Sequence, residues 1–444
     1  MKRILSAFLV LVLLSSCIFS ASAEGSADFC VMDSVSMTES EFRSYRPEFS
    51  FYSDSFDSTL LHKNGYYYSY LEQRYAYNGL AKTAYDSIMN NLDNEPLSGQ
   101  WIISFESNLF KGMTVSEFEE IWKSVVSGEL LGGVWCFRYD NPSKSDRFTD
   151  SVEVRCKPWM YENETVAKID FFVVLEVHPQ FSESLLIERD DIIDEIAAEA
   201  NKKPTQYLAL KYIHDRLDKM SEYDYDCVNE EDDLISKYTK EYGDGDIVKG
   251  YEYFKTHDYL SKIIFFLSHS AFGILSGFHN NNDDEVERKG VCESYAKAFM
   301  EICKKLDDAP YVGLMTSKTH MWNIVLLDGK WYCVDATWDD KGGEDVDDKY
   351  FLCGDPDKID GPSTDHVPDG EYTIAPEYAS QKYVFAPIDG DITFDGEINL
   401  LDLIRFKRIS AKAYNKEFYD NADLNGDKVV NAVDLSGLKQ IITK

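Results

Sequence analysis

Three side chains that together could perform thiol-based acyl transfer lie close in the sequence: Cys292, His320 and Asp335. In such chemistry a cysteine thiolate attacks a carbonyl carbon, a neighbouring imidazole handles the proton, and a carboxylate orients that imidazole. A single cysteine on an apolar helix face is more often a small buried hydrophobic residue. The hypothesis therefore depends on whether the surrounding elements bring the three side chains together.

The pattern around Cys292 favours a reactive thiol. Apolar side chains recur at helical spacing over about residues 291–306, and Cys292 lies in the first turn of this predicted helix. Free backbone N–H groups and the positive end of the helix dipole stabilise a thiolate at that place. The backbone N–H of Cys292 is also an expected oxyanion donor. Cys303 and Cys333 are interpreted as core residues.

A predicted hairpin brings the other two residues to one face. Asp328-Gly329, the residue pair preferred in a two-residue type I′ turn, separates two alternating apolar runs, 322–327 and 331–338. Directly opposed residues share a face of a hairpin, and so do residues two apart along a strand. Counting outward from the turn therefore makes His320 and Asp335 diagonal neighbours, within reach of a hydrogen bond.

The blocks around these residues resemble the transglutaminase-like superfamily, whose core has a papain-like fold. The matching blocks are Gly290-Val291-Cys292 with Tyr295-Ala296, His320-Met321-Trp322-Asn323, and Asp335-Ala336-Thr337-Trp338. The resemblance covers about residues 190–355 and implies Cys292 as nucleophile, His320 as base and Asp335 as the orienting residue. In papain-like proteases a glutamine six residues before the cysteine contributes to the oxyanion hole. Here that position is Val286, so the second donor is not identified.

One segment departs from the family pattern. Residues 227–266 are rich in acidic and aromatic side chains. They form a long insertion between an upstream helix, 207–217, and the segment 269–275 that precedes the cysteine. The insertion is interpreted either as a cover that shapes the cleft or as a solvated surface excursion.

Two acidic repeats near the C-terminus predict calcium loops. Oxygen ligands at loop positions 1, 3, 5 and 12, with a backbone carbonyl at position 7, form such a loop. The predicted ligands are Asp391, Thr393, Asp395, Glu397 and Asp402 in the first loop, and Asp423, Asn425, Asp427, Val429 and Asp434 in the second. Each loop leads into a helical pattern, and the apolar residues Ile398 and Val430 fit a short strand between the loops.

The tail closely resembles a type I dockerin, the module that docks enzymes onto cohesins of cellulosome scaffolds. The resemblance implies two bound Ca2+ ions and a cohesin partner. The residues in the cohesin-facing positions are Leu400, Leu401, Lys407, Arg408, Ala432, Val433, Lys439 and Gln440. Their apolar members predict a hydrophobic contact, and the two faces are not closely symmetric. Thr393 replaces the usual Asn or Asp, which predicts a weaker first site, and Lys428 replaces the glycine of the sharp turn.

The N-terminus predicts secretion. Lys2-Arg3, an apolar run over residues 4–14 and an Ala21-Ser22-Ala23 cleavage site form a signal-peptide pattern. We predict cleavage after Ala23 and a secreted, extracellular protein; lipidation of Cys17, in a lipobox-like stretch, is the alternative. No later apolar run approaches the ~20 residues of a spanning helix, so no transmembrane segment is predicted.

The composition agrees with a multidomain extracellular protein and argues against some partners. A chain of 444 residues suggests two or three domains. The net charge of −34, spread along the chain, argues against nucleic acid or anionic membranes as partners. The nine cysteines show no CxxC or Cys/His metal spacing, and no disulfide is predicted.

The predicted fold class is α+β: a papain-like transglutaminase core preceded by a small α+β domain and followed by an all-α, calcium-binding dockerin with paired EF-hand-like loops. The predicted divisions are 1–23 for the signal peptide, 24–185 for an N-terminal domain of unassigned role, 186–360 for the catalytic domain, 361–387 for a linker region and 388–444 for the dockerin. Within the N-terminal domain the patterns predict a helix over 79–92 and strands over 101–105, 133–139, 151–157 and 167–177.

The sequence favours a cellulosome-associated thiol enzyme that acts on peptide or amide bonds within a polysaccharide-degrading complex, with no cofactor for catalysis. Hydrolysis is favoured because bacterial members of the superfamily are often hydrolases. A protein-crosslinking transglutaminase, in which a lysine amine resolves the thioester, is the alternative. Two further hypotheses are a non-catalytic binding module, which the intact set of three side chains argues against, and a glycosidase, whose carboxylate pair no motif indicates.

Overall fold

The computed structural model describes residues 35–37 and 79–443, apart from short gaps. The gaps are residues 115, 119–129, 162–163, 280–285, 318, 344, 357–358, 360–365, 369–375, 386–387, 395–396 and 411–418. The predicted signal peptide with Cys17, and the predicted calcium ligand Asp395, lie outside the described residues.

The N-terminal part of the described chain is an antiparallel sheet with helices packed on it. Its elements are β1 (Val35–Met37), α1 (Leu80–Met89), β2 (Gln100–Ser107), α2 (Leu131–Asp140), α3 (Pro142–Ser145), β3 (Phe148–Met160) and β4 (Val166–Val177). The strand order is β1-β3-β4-β2. Alternate side chains of β4, such as Ile169, Phe171 and Val173, are fully buried, because successive residues of a strand point to opposite faces.

One strand prediction in this part is wrong. The run 133–139 belongs to helix α2, in which every residue but Arg138 is buried. A helix without a polar face lacks the 3.6-residue alternation that would distinguish it from a buried strand. Gly133 permits the close packing of α2 on α1, since a Cβ there would lie 2.1 Å from the carbonyl oxygen of Ala81. The predicted helix and the three other predicted strands are confirmed.

The central part of the chain is built around one buried helix, α10, and one hairpin. Its elements are α4 (Glu183–Ala200), α5 (Gln206–Met220), β5 (Glu222–Tyr223), α6 (Tyr225–Glu241), α7 (Ile247–Phe254), a π-helical turn (Lys255–Tyr259), α8 (Ile263–Ser268), α9 (Ala271–Leu275), β6 (Phe278–His279), β7 (Val286–Glu287), β8 (Lys289–Gly290), α10 (Cys292–Cys303), β9 (Tyr311–Thr316), β10 (Met321–Leu327), β11 (Lys330–Val334) and α11 (Ala336–Asp339). Helix α10 packs against α4, α5, α9 and β10. The predicted boundary between residues 185 and 186 falls inside α4.

The predicted hairpin turn and its register are confirmed. Asp328 and Gly329 have φ angles of 49° and 73°, the positive values that a type I′ turn requires at both central residues. Leu327 pairs with Lys330, and β10 lies between β9 and β11 in an antiparallel sheet. The sheet therefore has the same side-chain alternation that was counted from the turn.

The second strand of the hairpin is shorter than predicted. It ends at Val334, and residues 336–338 belong to the short helix α11 instead of the strand. The side chain of Asp335 accepts a hydrogen bond from the backbone N–H of Trp338 at 3.2 Å. Aspartate is among the best N-cap residues, so the residue expected to serve the imidazole also starts a helix.

The insertion at residues 227–266 is folded. Helices α6 and α7 share a small apolar core that includes Cys227, Tyr238, Phe254, Tyr259 and Phe265. An irregular surface excursion would not bury such a cluster. Helix α6 also contacts the segment before the cysteine, because Glu231 lies 3.3 Å from His269.

The predicted linker region, 361–387, is wrong for the residues that the structure describes in it. Tyr378 forms a bridge with Trp331 of β11, and the N–H of Ala379 donates to the Trp331 carbonyl at 2.8 Å. Ala379 is buried, and Tyr378 and Tyr383 pack against the central core. The polar residues that suggested a linker precede this stretch, whereas its aromatic residues cover an edge of the sheet.

The C-terminal part has helices joined by loops, and no strand, among its described residues. Its elements are α12 (Leu400–Ser410), α13 (Tyr419–Ala422) and α14 (Ala432–Ile442). They enclose a small core that includes Ile392, Phe406 and Leu438. The short strand predicted at Ile398 and Val430 is wrong, since both residues are non-strand and pack partly buried against that core. None of the helices in the described chain has the length and apolar character needed to cross a membrane.

Candidate active site and C-terminal calcium loops

Helix α10 presents Cys292 at its first residue. The N-cap residue, Val291, is extended, and its N–H donates to the carbonyl of Ser268 at 2.9 Å. This bond fixes the chain directly before the helix. Cys292 is half-buried, whereas the other described cysteines are buried. The thiol therefore combines a helix N-terminus with access for a reagent.

The chain before Cys292 approaches α10 closely enough to require glycine at position 290. A Cβ on Gly290 would lie 2.4 Å from the Cβ of Ser294 and 2.9 Å from the Cγ2 of Ile274. Ser294 is fully buried, and its hydroxyl donates to the carbonyl of Ser270 at 2.6 Å. Because Ser294 is held in place, a larger residue at position 290 has to displace the strand or the helix.

We expect Gly290→Ala to lower the free energy of unfolding by about 1–3 kcal/mol through overpacking. Chemical denaturation of the full chain measures the change. Gly437→Ala is the control, since its added Cβ would meet Leu424 at an ordinary 3.4 Å and alanine favours the helix. Equal stability of Gly290→Ala and the parent protein would contradict the close approach.

His320 and Asp335 meet at the open end of the hairpin. His320 directly precedes β10 and Asp335 directly follows β11, so paired strands hold both residues. His320 Nε2 donates to Asp335 Oδ2 at 2.6 Å. Because Nε2 faces the carboxylate, Nδ1 is the nitrogen left for Cys292, which lies close enough to raise the pKa of the same imidazole. The structure thus brings the three predicted residues together.

The Asp335 carboxylate controls the charge of His320. Burial disfavours the imidazolium, but the charge of Asp335, the hydrogen bond with Asp335 and the nearby Cys292 outweigh it and raise the pKa of His320 to about 10. Burial also acts to raise the pKa of Asp335, yet the charge of His320 and the hydrogen bonds from His320 and His366 hold that pKa below its ordinary value. At neutral pH the pair is therefore an imidazolium and a carboxylate.

The two tryptophans that lie near the His320 ring differ in position. Trp322 is 1% exposed, and its ring centroid lies 6.0 Å from that of His320. Trp338 is half-buried, with its centroid 5.6 Å from that of His320. Trp322 is therefore a core residue, and Trp338 is the one that presents surface beside the imidazole.

His366, which no sequence motif marks, completes the cluster. Its Nε2 donates to the same Asp335 Oδ2 at 2.8 Å, and the residue is 2% exposed. Ligand atoms of His320, Asp335 and His366 lie within 4.8 Å of one another, so the trio could hold a metal ion. Both imidazoles are instead hydrogen-bonded to the carboxylate. No motif spacing marks His366, because it lies in the segment interpreted as a linker.

A buried ion pair joins the N-terminal part to the helix that carries the cysteine. Lys297 of α10 lies 3.0 Å from Asp146, which follows α3. Glu293, the neighbour of Cys292, lies 3.5 Å from Lys297 and 3.7 Å from His269. These contacts indicate that the N-terminal part braces α10 and thereby the position of the thiol.

Each C-terminal loop is organised around the buried carboxylate at its position 12. In the first loop Asp402 accepts hydrogen bonds from the N–H (2.8 Å) and the hydroxyl (2.9 Å) of Thr393. In the second loop Asp434 accepts from the N–H groups of Asn425 (3.3 Å) and Asn431 (2.9 Å). Asp402 and Asp434 are 0% and 1% exposed. Position 12 of each loop therefore points into its loop, as a metal ligand must.

The donor set of the loops fits Ca2+. The described predicted ligands offer oxygen atoms, which this hard cation prefers. Asp402 and Asp434 form no ion pair with a lysine or arginine in the described part of the chain. A buried carboxylate without a counter-charge is costly, and a bound Ca2+ would supply that charge. Lys428 has a φ angle of 65°, so it adopts the left-handed conformation that glycine takes more easily at this turn.

A comparison with protein families agrees with this geometry. Residues 389–443 match the family model of the dockerin type I domain. This segment is a type I dockerin. A dockerin of this type binds Ca2+ and docks onto a cohesin of a scaffold protein, and it marks an extracellular component of a cellulosome. No curated protein matches the chain.

The dockerin exposes all eight residues expected to face a cohesin. Leu400, Leu401 and Val433 are 64%, 55% and 60% exposed. Apolar side chains that stay exposed at the starts of α12 and α14 form a surface that a partner can cover. The hydrophobic character of the cohesin contact stays a prediction.

Proposed function

We propose that the central part of the chain is a cysteine-dependent hydrolase of peptide or amide bonds with a papain-like core, and that the dockerin carries it to a scaffold. The observation that supports the proposal most is the hydrogen bond of 2.6 Å between His320 and Asp335, beside a half-buried cysteine at a helix start. The sequence blocks that resemble the transglutaminase-like superfamily contain the same three residues.

The reaction would form and then resolve a thioester. The Cys292 thiolate attacks the carbonyl carbon of an amide, and the backbone N–H of Cys292 donates to the oxyanion. The His320 imidazolium gives its Nδ1 proton to the departing amine. Water then attacks the thioester carbon and gives a proton to neutral His320. The thiolate leaves, a carboxylic acid is released, and the imidazolium is restored.

The nature of the second nucleophile separates a hydrolase from a crosslinking enzyme. Incubation of the full chain with a protein library, analysed by mass spectrometry for new termini and for new glutamine–lysine isopeptides, distinguishes the two. New termini or free carboxylates that disappear after alkylation of Cys292 support hydrolysis. Isopeptides as the main product would replace the hydrolase proposal with crosslinking. The absence of both kinds of product would contradict both functions.

We expect kcat/KM to stay high to alkaline pH and to fall above about pH 10, where His320 loses its proton. The raised pKa means that the imidazolium is present below this pH and is lost as the pH rises through it. That proton is needed by the departing amine, so activity should fall with it. A pH profile on any substrate found in the library measures the alkaline limb.

Asp335→Asn is the matched variant for this profile. It removes the charge that raises the pKa of His320 while keeping the shape of the side chain. The alkaline limb should therefore move down toward the ordinary range of histidine, near 6.5. A parent enzyme whose alkaline limb already lies below pH 8 would contradict the ion pair.

A further inference from the structure

We propose that His366 is a positioning residue for the thiol site: its Nε2–H fixes the Asp335 carboxylate, which in turn aims His320 at Cys292. The inference rests on the proposed function and deepens it. It adds a fourth residue that neither the sequence blocks nor the helix and hairpin patterns include. His366 touches no reacting atom in this scheme and acts only through Asp335.

The hydrogen-bond pattern assigns the protons. Asp335 Oδ2 accepts hydrogen bonds from His320 Nε2 at 2.6 Å and from His366 Nε2 at 2.8 Å. The hydrogen bonds and the charge of His320 hold the pKa of Asp335 below its ordinary value, so the carboxylate is an acceptor and both Nε2 atoms carry hydrogen. One carboxylate oxygen is thus held between two imidazole donors.

The surroundings of His366 hold its ring in place. The ring centroid lies 4.5 Å from that of Trp338 and 5.1 Å from that of Trp322, both edge-on. Tyr350 stacks on it at 5.4 Å. Since Asp335 and His366 are 1% and 2% exposed, water cannot easily replace the donor. Loss of the donor leaves a buried acceptor short of one bond.

Asp335 needs such a support because its own element is short. Helix α11 has four residues, and the Asp335 Oδ1 bond to the Trp338 N–H is 3.2 Å long. Without His366 the carboxylate can rotate, and the His320 ring that depends on Oδ2 turns with it. A displacement of about 1 Å at a reacting group costs on the order of 100-fold in rate.

The test measures the rate of iodoacetamide alkylation at Cys292 in the full chain, by peptide mass spectrometry, at pH 6 and pH 9 with a chelator present. This readout needs no substrate. An unassisted thiol is mostly protonated at pH 6, so its alkylation is slower at pH 6 than at pH 9 by roughly 100-fold or more. In the parent protein the imidazolium should hold the ratio of the two rates near one.

His366→Phe keeps a ring among Trp338, Trp322 and Tyr350 but removes the donor. We expect its rate at pH 6 to fall by roughly 10-fold to 100-fold while its rate at pH 9 changes little. His366→Gln should stay within about threefold of the parent, because the glutamine amide can donate from nearly the place of Nε2. His279→Gln, at an exposed histidine, is the control for the loss of a histidine.

The outcomes separate this inference from the proposed function. A parent protein whose Cys292 behaves as an unassisted thiol overturns the proposed function. A parent with the assisted profile and a His366→Phe variant with the same profile overturn the inference alone. If His366→Phe does not fold, the comparison of His366→Gln with His366→Asn decides, since the shorter asparagine cannot reach Oδ2. Equal alkylation profiles for these two variants overturn the inference. A lower rate at pH 6 in His366→Asn alone supports it.

Discussion

Replacement of Cys292 by alanine is expected to lower turnover by at least about 10^4-fold, because the reaction loses its nucleophile while binding and the oxyanion donor persist. Alanine removes only the sulfur atom of a half-buried side chain, so the melting temperature should change little. Steady-state kinetics on a library-derived substrate and labelling with a thiol-reactive peptidyl probe measure the effect.

Cys303→Ala is the matched control for this variant. Cys303 ends the same helix and is fully buried, and burial raises the pKa of its thiol. Its loss should reduce stability through a small cavity and leave labelling of Cys292 intact. Full turnover in Cys292→Ala would place the chemistry elsewhere, for example on a carboxylate pair among the many acidic residues.

Removal of Ca2+ is expected to abolish cohesin binding through collapse of the dockerin. At 1 mM Ca2+ and a dissociation constant of about 1 μM, each site stabilises the folded loops by about 4 kcal/mol. Once the cation is gone, the buried carboxylates of Asp402 and Asp434 have no counter-charge, which destabilises the closed loops. Affinity for a cognate cohesin, found from a panel by calorimetry, should therefore fall by about 1,000-fold or more in EDTA.

Two variants sharpen this result. Asp434→Ala should lower cohesin affinity even at saturating Ca2+, because it removes position 12 of the second loop and the acceptor for the Asn431 N–H. Asp389→Ala, at an exposed residue next to the first loop, should have no effect. Alkylation of Cys292 in EDTA serves as the internal control, since no catalytic cofactor is expected. Undiminished cohesin binding in EDTA would contradict the assignment of the two loops as calcium sites.

The parts of the site that local physics determines could be predicted from the sequence. Asp328-Gly329 can supply two positive φ angles, so it set the register that brings His320 toward Asp335. The apolar spacing after Cys292 placed the thiol at a helix start. Both inferences use interactions between residues close in the chain, where turn chemistry and helical periodicity act directly.

The parts that depend on tertiary packing could not be predicted in this way. Helix α2 is buried on all sides, so its sequence carries no helical period. The end of β11 is set by a side-chain cap at Asp335, which competes with continuation of the strand. His366 reaches Asp335 from a polar segment whose composition resembles a linker, and only its burial among aromatic rings reveals its place.

Because residues 376–385 pack on the central sheet, the boundary between the central part of the chain and the dockerin lies after them. A recombination event that joined a foreign dockerin at residue 360 would discard His366 and the Tyr378 bridge to Trp331. The resulting protein would lack part of the candidate thiol site. A junction after Phe385 keeps both. Shuffling of docking modules among cargoes of this kind is therefore constrained to a few residues directly before the first calcium loop, and the broad polar stretch upstream is not exchangeable.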